Sequence, residues 1–107
     1  MMRFLGGFMT EDVITVRASI HLLSSNEGGR TGSWRPNHNF FDTDSVEMTI
    51  GAIDLPDGVE LRPGEEVECV VDFWRWSGLE GRIHPGREWR IQEGRQLVGV
   101  GVILEVM

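Results

Sequence analysis

At 107 residues the chain has room for one domain with one core and not for two. A composition of 40% hydrophobic and 25% charged residues belongs to a folded globular protein and excludes a disordered one. Seventeen acidic against ten basic residues leave a net charge of -7, which argues against a nonspecific grip on nucleic acid, because that grip rests on neutralising phosphates.

The opening MMRFLGGFM is apolar but short, is broken by Gly6-Gly7, and lacks a small-residue cleavage site. It reads as an N-terminal extension, residues 1–9, to a single domain over residues 10–107. No stretch approaches the length of a membrane span. From Val13 to Leu23 the chain alternates. Ile14, Val16, Ala18, Ile20 and Leu22 fall on one face and Thr15, Arg17, Ser19 and His21 on the other, the pattern of a half-buried antiparallel strand. SSNEGGRTGS then breaks the strand with turn formers. NHNFF follows Arg35-Pro36 and can pair as a short strand with the proline kept ahead of it.

Val46 to Leu55 alternates again, with Val46, Met48, Ile50 and Ala52 expected on the apolar face. Pro56-Asp57-Gly58 and Pro63-Gly64 are two turns, each with proline ahead of a residue that tolerates positive φ. Glu66 to Trp76 reads as a strand with Val67, Cys69, Val71 and Phe73 inside and Val70, Trp74 and Trp76 outside. REWRIQ makes another short strand. In the last, QLVGVGVILEV, Val98, Val100, Val102, Leu104 and Val106 share a face, and Gly99 and Gly101 are expected to face outward. About six short strands and no helix predict an all-β fold, a six-stranded antiparallel barrel closed on itself so that its edges are hidden.

The residues for several chemistries are missing. His21, His38 and His84 lie on separate segments without ligand spacing and read as surface or rim histidines, so no metal is expected. There is no phosphate-cradling GxxxxGK[ST] loop and no strained GxSxG elbow. Glu65, Glu66, Glu68 and Asp72 read as a solvated face. Cys69 is the lone cysteine, at an apolar-phase position, and reads as a buried thiol that fits a reducing, cytoplasmic setting. No catalytic residue and no cofactor are expected.

Four motifs occur in order: NEGGR, WRP, IDLPDGVELRPGEEVECVV and WRIQEGRQLVGVGVI. In that order and spacing, over Val13 to Val106, the chain resembles the C-terminal (third) domain of translation elongation factor Tu, standing without the GTPase and second domains. The resemblance implies the same six-stranded barrel. It also implies contact with the T-stem of tRNA, an A-form helix read mostly by shape. On that likeness Arg30 would face phosphate, Asn37 would lie near the stem, and Glu93 and Gly94 would touch its minor groove. The sequence departs from the family between Arg30 and the WRP step and again after Gly94, where Arg95 and Gln96 follow.

Read from the residues themselves, Trp34 and Arg35 offer a stacking ring beside a guanidinium, alongside a purely structural turn. Arg82, Arg87, Arg90 and Arg95 against Glu88 and Glu93 make a locally basic stretch. It could steer an anionic partner or pair across strands with Glu66, Glu68 and Asp72. Trp74 and Trp76 are expected to point outward, as a contact surface or as the seat of Phe4, Leu5 and Phe8 folding back. The function these features support is a non-catalytic binding module for a protein or a structured RNA. The alternatives are an enzyme or small-ligand-binding barrel, with His38 or His84 as polar anchor at the barrel mouth, and a regulatory or immunity-type barrel without RNA contact.

Overall fold

A computed structural model describes residues 12–41 and 47–107. The N-terminal extension and Val46 lie outside the described residues. In chain order the strands are β1 (Val13–Leu22), β2 (Arg30–Thr31), β3 (Ser33–Trp34), β4 (Asn37–Asn39), β5 (Thr49–Asp54), β6 (Glu60–Leu61), β7 (Glu66–Trp74), β8 (Glu88–Glu93) and β9 (Gln96–Val106). A single 3₁₀ turn lies at Ser77–Leu79, between β7 and β8.

Six strands close on themselves in the order β5-β4-β8-β9-β1-β7, every pair antiparallel, with β7 returning to β5. This is the closed six-stranded barrel that the alternation predicts. The short β3 adds to β5, and β2 and β6 form a small separate ribbon. Closure leaves no long row of unpaired backbone groups on the barrel, which removes the usual site of edge-to-edge aggregation. At the turn joining β6 to β7, Glu65 N–H donates to the Arg62 carbonyl and Gly64 has φ 89°, so Pro63-Gly64, read as a turn from the sequence, makes a type II turn.

The inward face of β1 is the expected one, with Val16, Ala18, Ile20 and Leu22 all fully buried. Cys69, Val71 and Phe73 of β7 meet them from the neighbouring strand. The centre of the core is aromatic. Phe40 stacks on Trp89 at 5.5 Å between ring centroids, and Phe73 meets the same indole edge-on at 5.3 Å. Such edge-on and stacked pairs add about 0.5–1.5 kcal/mol each beyond the area they bury.

Two strands have the opposite phase from the expected one. In β5 the inward residues are Thr49, Gly51 and Ile53, while Ile50 is 67% exposed and Ala52 half-buried. In β9 it is Gly99, Gly101 and Ile103 that face inward, while Val100, Val102 and Leu104 are half-buried on the outer side. The cause is volume. A Cβ on Gly101 would fall 2.5 Å from Cζ2 of Trp89, and a Cβ on Gly51 would fall 3.1 Å from the His38 ring and 2.6 Å from the Asp72 carbonyl oxygen. Large rings on β8 and β4 occupy the space that side chains at those positions would need. The strand read as Glu66 to Trp76 ends at Trp74, so Trp76 leaves the outward phase. It packs beside Phe41, and its Nε1–H donates to Thr49 Oγ1 at 3.2 Å.

Cys69 is buried, as its phase implies. Burial pushes its thiol up to about 11, and the nearby Asp54 charge adds to the shift. Because the thiolate is the reactive species, Cys69 will react with a disulfide reagent at pH 8 far more slowly in the native protein than in urea. A rate equal in both would contradict its burial.

Candidate contact site

The turn between β8 and β9 contains two residues, Gly94 and Arg95, closing a hairpin whose last pair is Glu93 with Gln96. Gly94 has φ 62° and no non-glycine residue among those described has positive φ. A positive φ at the first central position alone is the pattern of a type II′ hairpin, which suits the twist of the flanking strands and favours glycine there. The turn fixes the direction of Glu93, and that carboxylate is the hub of the site.

Arg30 reaches Glu93 with a two-pronged fork, Nε to Oε2 at 2.8 Å and Nη2 to Oε1 at 2.7 Å. Its remaining Nη1 donates to the Gly28 carbonyl at 2.7 Å. Trp34 Nε1–H donates to Glu93 Oε2 at 2.8 Å, and the Arg30 guanidinium lies 5.4 Å from the Trp34 ring centroid. The Arg30 hydrogen bonds hold the Glu93 carboxyl below its ordinary value; partial burial opposes this, and the Trp34 N–H and the Arg30 charge reinforce it. The interaction joins chain segments 63 residues apart. Bidentate geometry gives it directional strength that a simple surface pair lacks.

Three of the residues singled out in the sequence, Arg30, Trp34 and Glu93, are therefore in mutual contact, and Gly94 and Arg95 follow directly. Asn37 is close by in topology, half-buried on β4 and paired with Gln92. The antiparallel ladder sends Arg35, two residues before that pair, and Arg95, three residues after Gln92, toward the same end of the barrel. Both are exposed. Two of these residues have partners within the chain. Arg30 directs its guanidinium to Glu93 and to the Gly28 carbonyl. Trp34 is only 8% exposed, so the indole supports the site from behind instead of presenting a stacking face.

Trp74 and Trp76 belong elsewhere. β1 and β7 pair antiparallel with Val13 opposite Trp74, which puts these tryptophans at the other end of the barrel. Trp74 is 41% exposed, as its outward phase requires.

The basic stretch does not pair with the acidic strand, because β8 neighbours β4 and β9 whereas β7 neighbours β1 and β5. Arg87 instead donates to the Phe40 carbonyl and Arg90 to the Phe41 carbonyl, at 3.0 Å for the latter. Arg82 lies over the Phe41 ring. It is Arg17 that bridges the acidic face, to Glu68 at 2.8 Å and Glu105 at 3.3 Å.

His38 is not a surface or rim residue, and is no barrel-mouth anchor. It is fully buried, its Nδ1 accepts the Trp89 Nε1–H at 3.0 Å, and its Nε2 has no partner. Burial lowers its pKa from 6.5 to about 4, with the Gly51 backbone beside the ring opposing the shift. The sequence held no signal for this: a histidine flanked by Asn37 and Asn39 offers no apolar alternation from which to infer an inward ring. His84 is exposed.

Among the described residues no group of three or more His, Cys, Asp and Glu is placed to hold a metal ion, and no helix is long and apolar enough to cross a membrane. No protein-family model matches the chain.

Proposed function

We propose that this protein is a non-catalytic binding module that engages a protein partner through the corner built by the 28–37 loop and the 93–95 turn. The observation that carries this reading is the Arg30–Glu93–Trp34 lock. It ties two distant segments into one rigid corner and leaves Arg35, Gly94 and Arg95 at the surface. A corner already rigid loses little side-chain freedom on binding, and arginine is among the residues on which protein interfaces concentrate their energy. On a chain of net charge -7 these two exposed guanidiniums suit local pairing with carboxylates better than tracking a polyphosphate backbone.

A second reading, contact with a structured RNA such as tRNA, draws on the resemblance to the third domain of elongation factor Tu. One observation favours it. Arg30, Glu93 and Gly94, to which the likeness assigns RNA contact, lie side by side, with Asn37 on the adjoining strand. Against it stands the engagement of Arg30 by Glu93.

The test is a pull-down from lysate with the full chain and with an Arg35→Glu, Arg95→Glu double variant. The partner is expected to be captured by the natural chain and lost by the variant, with the thermal midpoint unchanged because both residues are exposed. Equal capture by both would overturn the proposed corner. In parallel, tRNA anisotropy is expected to stay flat even at low salt. Binding that weakens steeply with salt and is reduced by Arg30→Ala would transfer the assignment to RNA.

A further inference from the structure

Around the start of β8 three arginines converge on Phe40 and Phe41. Arg87 donates from Nη2 to the Phe40 carbonyl and from Nε to the Glu88 carbonyl at 2.9 Å. Arg90 donates from Nη1 to the Phe41 carbonyl at 3.0 Å. Arg82 is held by the Gly78 carbonyl at 3.0 Å and lies 4.5 Å from the Phe41 ring centroid. All three are half-buried. The described ion pairs use Arg17, Arg30 and Arg62, and among the described residues no carboxylate lies within ion-pair distance of Arg82, Arg87 or Arg90. Backbone carbonyls fix a guanidinium in place but cancel none of its charge. Three cations gathered in this way make a local island of positive potential on an acidic chain. Arg87 and Arg90 share a cleft of about 260 Å³ with Asn39, Phe41, Glu88 and Val100. The ladder builds it, because Arg90 pairs with Asn39 of β4 on one side and with Val100 of β9 on the other. Asn39 Oδ1 accepts the Phe41 N–H at 2.8 Å, which fixes the turn that carries the Phe40 and Phe41 carbonyls to the two forks.

We propose that this cleft binds a small phosphate monoester, its phosphate seated between Arg87 and Arg90 and its organic part against Phe41 and Val100. The remaining N–H donors of each guanidinium lie in a plane that matches two oxygens of an oxyanion. Two such forks side by side suit a ligand with two negative charges and more than two acceptor oxygens. A phosphate monoester supplies about −1.5 to −2 charge near pH 7 and three acceptor oxygens, whereas a carboxylate brings a single charge and fewer oxygens. The carbonyl anchors hold both forks before the ligand arrives, so binding costs little side-chain freedom. Half-burial removes part of the water that would screen the charges. Glu88 works against the anion: it lines the same cleft, is exposed, and forms no ion pair with either arginine. The cleft lies at the start of β8 and the proposed corner at its end, so the two readings are independent.

Calorimetric titration of the full chain with phenyl phosphate tests it, with inorganic phosphate and phenyl sulfate as companions. Phenyl phosphate is expected to bind at about millimolar affinity or tighter. Inorganic phosphate, which lacks the ring, is expected to bind several-fold more weakly, and phenyl sulfate, a monoanion, about tenfold more weakly. Arg90→Gln is expected to weaken phenyl phosphate about tenfold. Glu88→Gln, which breaks no side-chain contact, is expected to tighten it about two- to fivefold. A loss of folding cannot move the two variants in opposite directions. The Arg35→Glu, Arg95→Glu double variant is expected to bind phenyl phosphate as the natural chain does. The proposal is overturned if phenyl phosphate gives no binding at tens of millimolar, or if Arg90→Gln and Glu88→Gln both leave its affinity unchanged. Equal affinity for phenyl sulfate or for inorganic phosphate would overturn it as well.

Discussion

Gly101→Ala will destabilise the protein by about 1–3 kcal/mol, the cost of forcing extra volume into a packed core. The sign is what makes the result informative. Were Gly101 on the outer face of β9, alanine would stabilise the strand by roughly 0.5–1 kcal/mol, since glycine in a strand interior loses more backbone entropy on folding. The inward Gly101 instead lies against the Trp89 ring, where an added Cβ would sit 2.5 Å from Cζ2. The ring cannot withdraw, because Phe40 stacks on it, Phe73 meets it edge-on and its Nε1–H is held by His38. In a Trp89→Leu background, itself costing a few kcal/mol, the penalty of Gly101→Ala should fall to near zero. A urea-denaturation cycle over the four proteins measures the coupling. A stabilising Gly101→Ala would refute the inward placement.

Stability will fall by about 3 kcal/mol between pH 7 and pH 4 through His38 alone, and His38→Gln will abolish that part of the slope. The folded ring titrates near 4 and the unfolded one near 6.5. Between those values the unfolded chain binds a proton that the folded chain refuses, so stability is complete above 6.5 and declines as the pH drops toward 4. The spacing of the two pKa values sets the magnitude. Thr49, Gly51, Phe73, Trp89 and Ile91 surround or pair with the residue, and none of them carries a charge to offset the imidazolium. Protonation also converts Nδ1 from acceptor to donor and so removes the bond from Trp89. Glu93 adds a separate acid-side loss. Its carboxyl is held below its ordinary value by Arg30, so that contribution persists above the unfolded pKa and disappears as the pH falls through the folded one. Comparing urea midpoints of the natural chain and His38→Gln at pH 7, 5.5 and 4.5 isolates the histidine. Parallel pH profiles for the two proteins would show that the ring is solvated.

The Arg30–Glu93–Trp34 lock explains why the two candidate segments were each recognisable and their relation was not. EGGR and EGR are local turn motifs, legible because glycine permits the backbone that a turn requires. That the guanidinium of one neutralises the carboxylate of the other is a statement about residues 63 positions apart, and no local pattern encodes it. The consequence for function is direct. The arginine that looked available is engaged, and the exposed charge moves to Arg35 and Arg95.

The six barrel strands, the turns at Gly58 and Gly64 and the inward faces of β1 and β7 were determined by the sequence itself. In those segments β-branched and apolar residues recur at every second position against polar ones, and a period of two admits only one buried face. β5 and β9 carry apolar residues on both faces, as Ile50 beside Ile53 and Val102 beside Ile103 show, so alternation alone allowed either phase. Tertiary structure decided between them. The rings of His38 and Trp89 fill the barrel from the neighbouring strands, and only the faces bearing Gly51 and Gly101 leave room for them, because a closed barrel has one interior volume that all six strands must share.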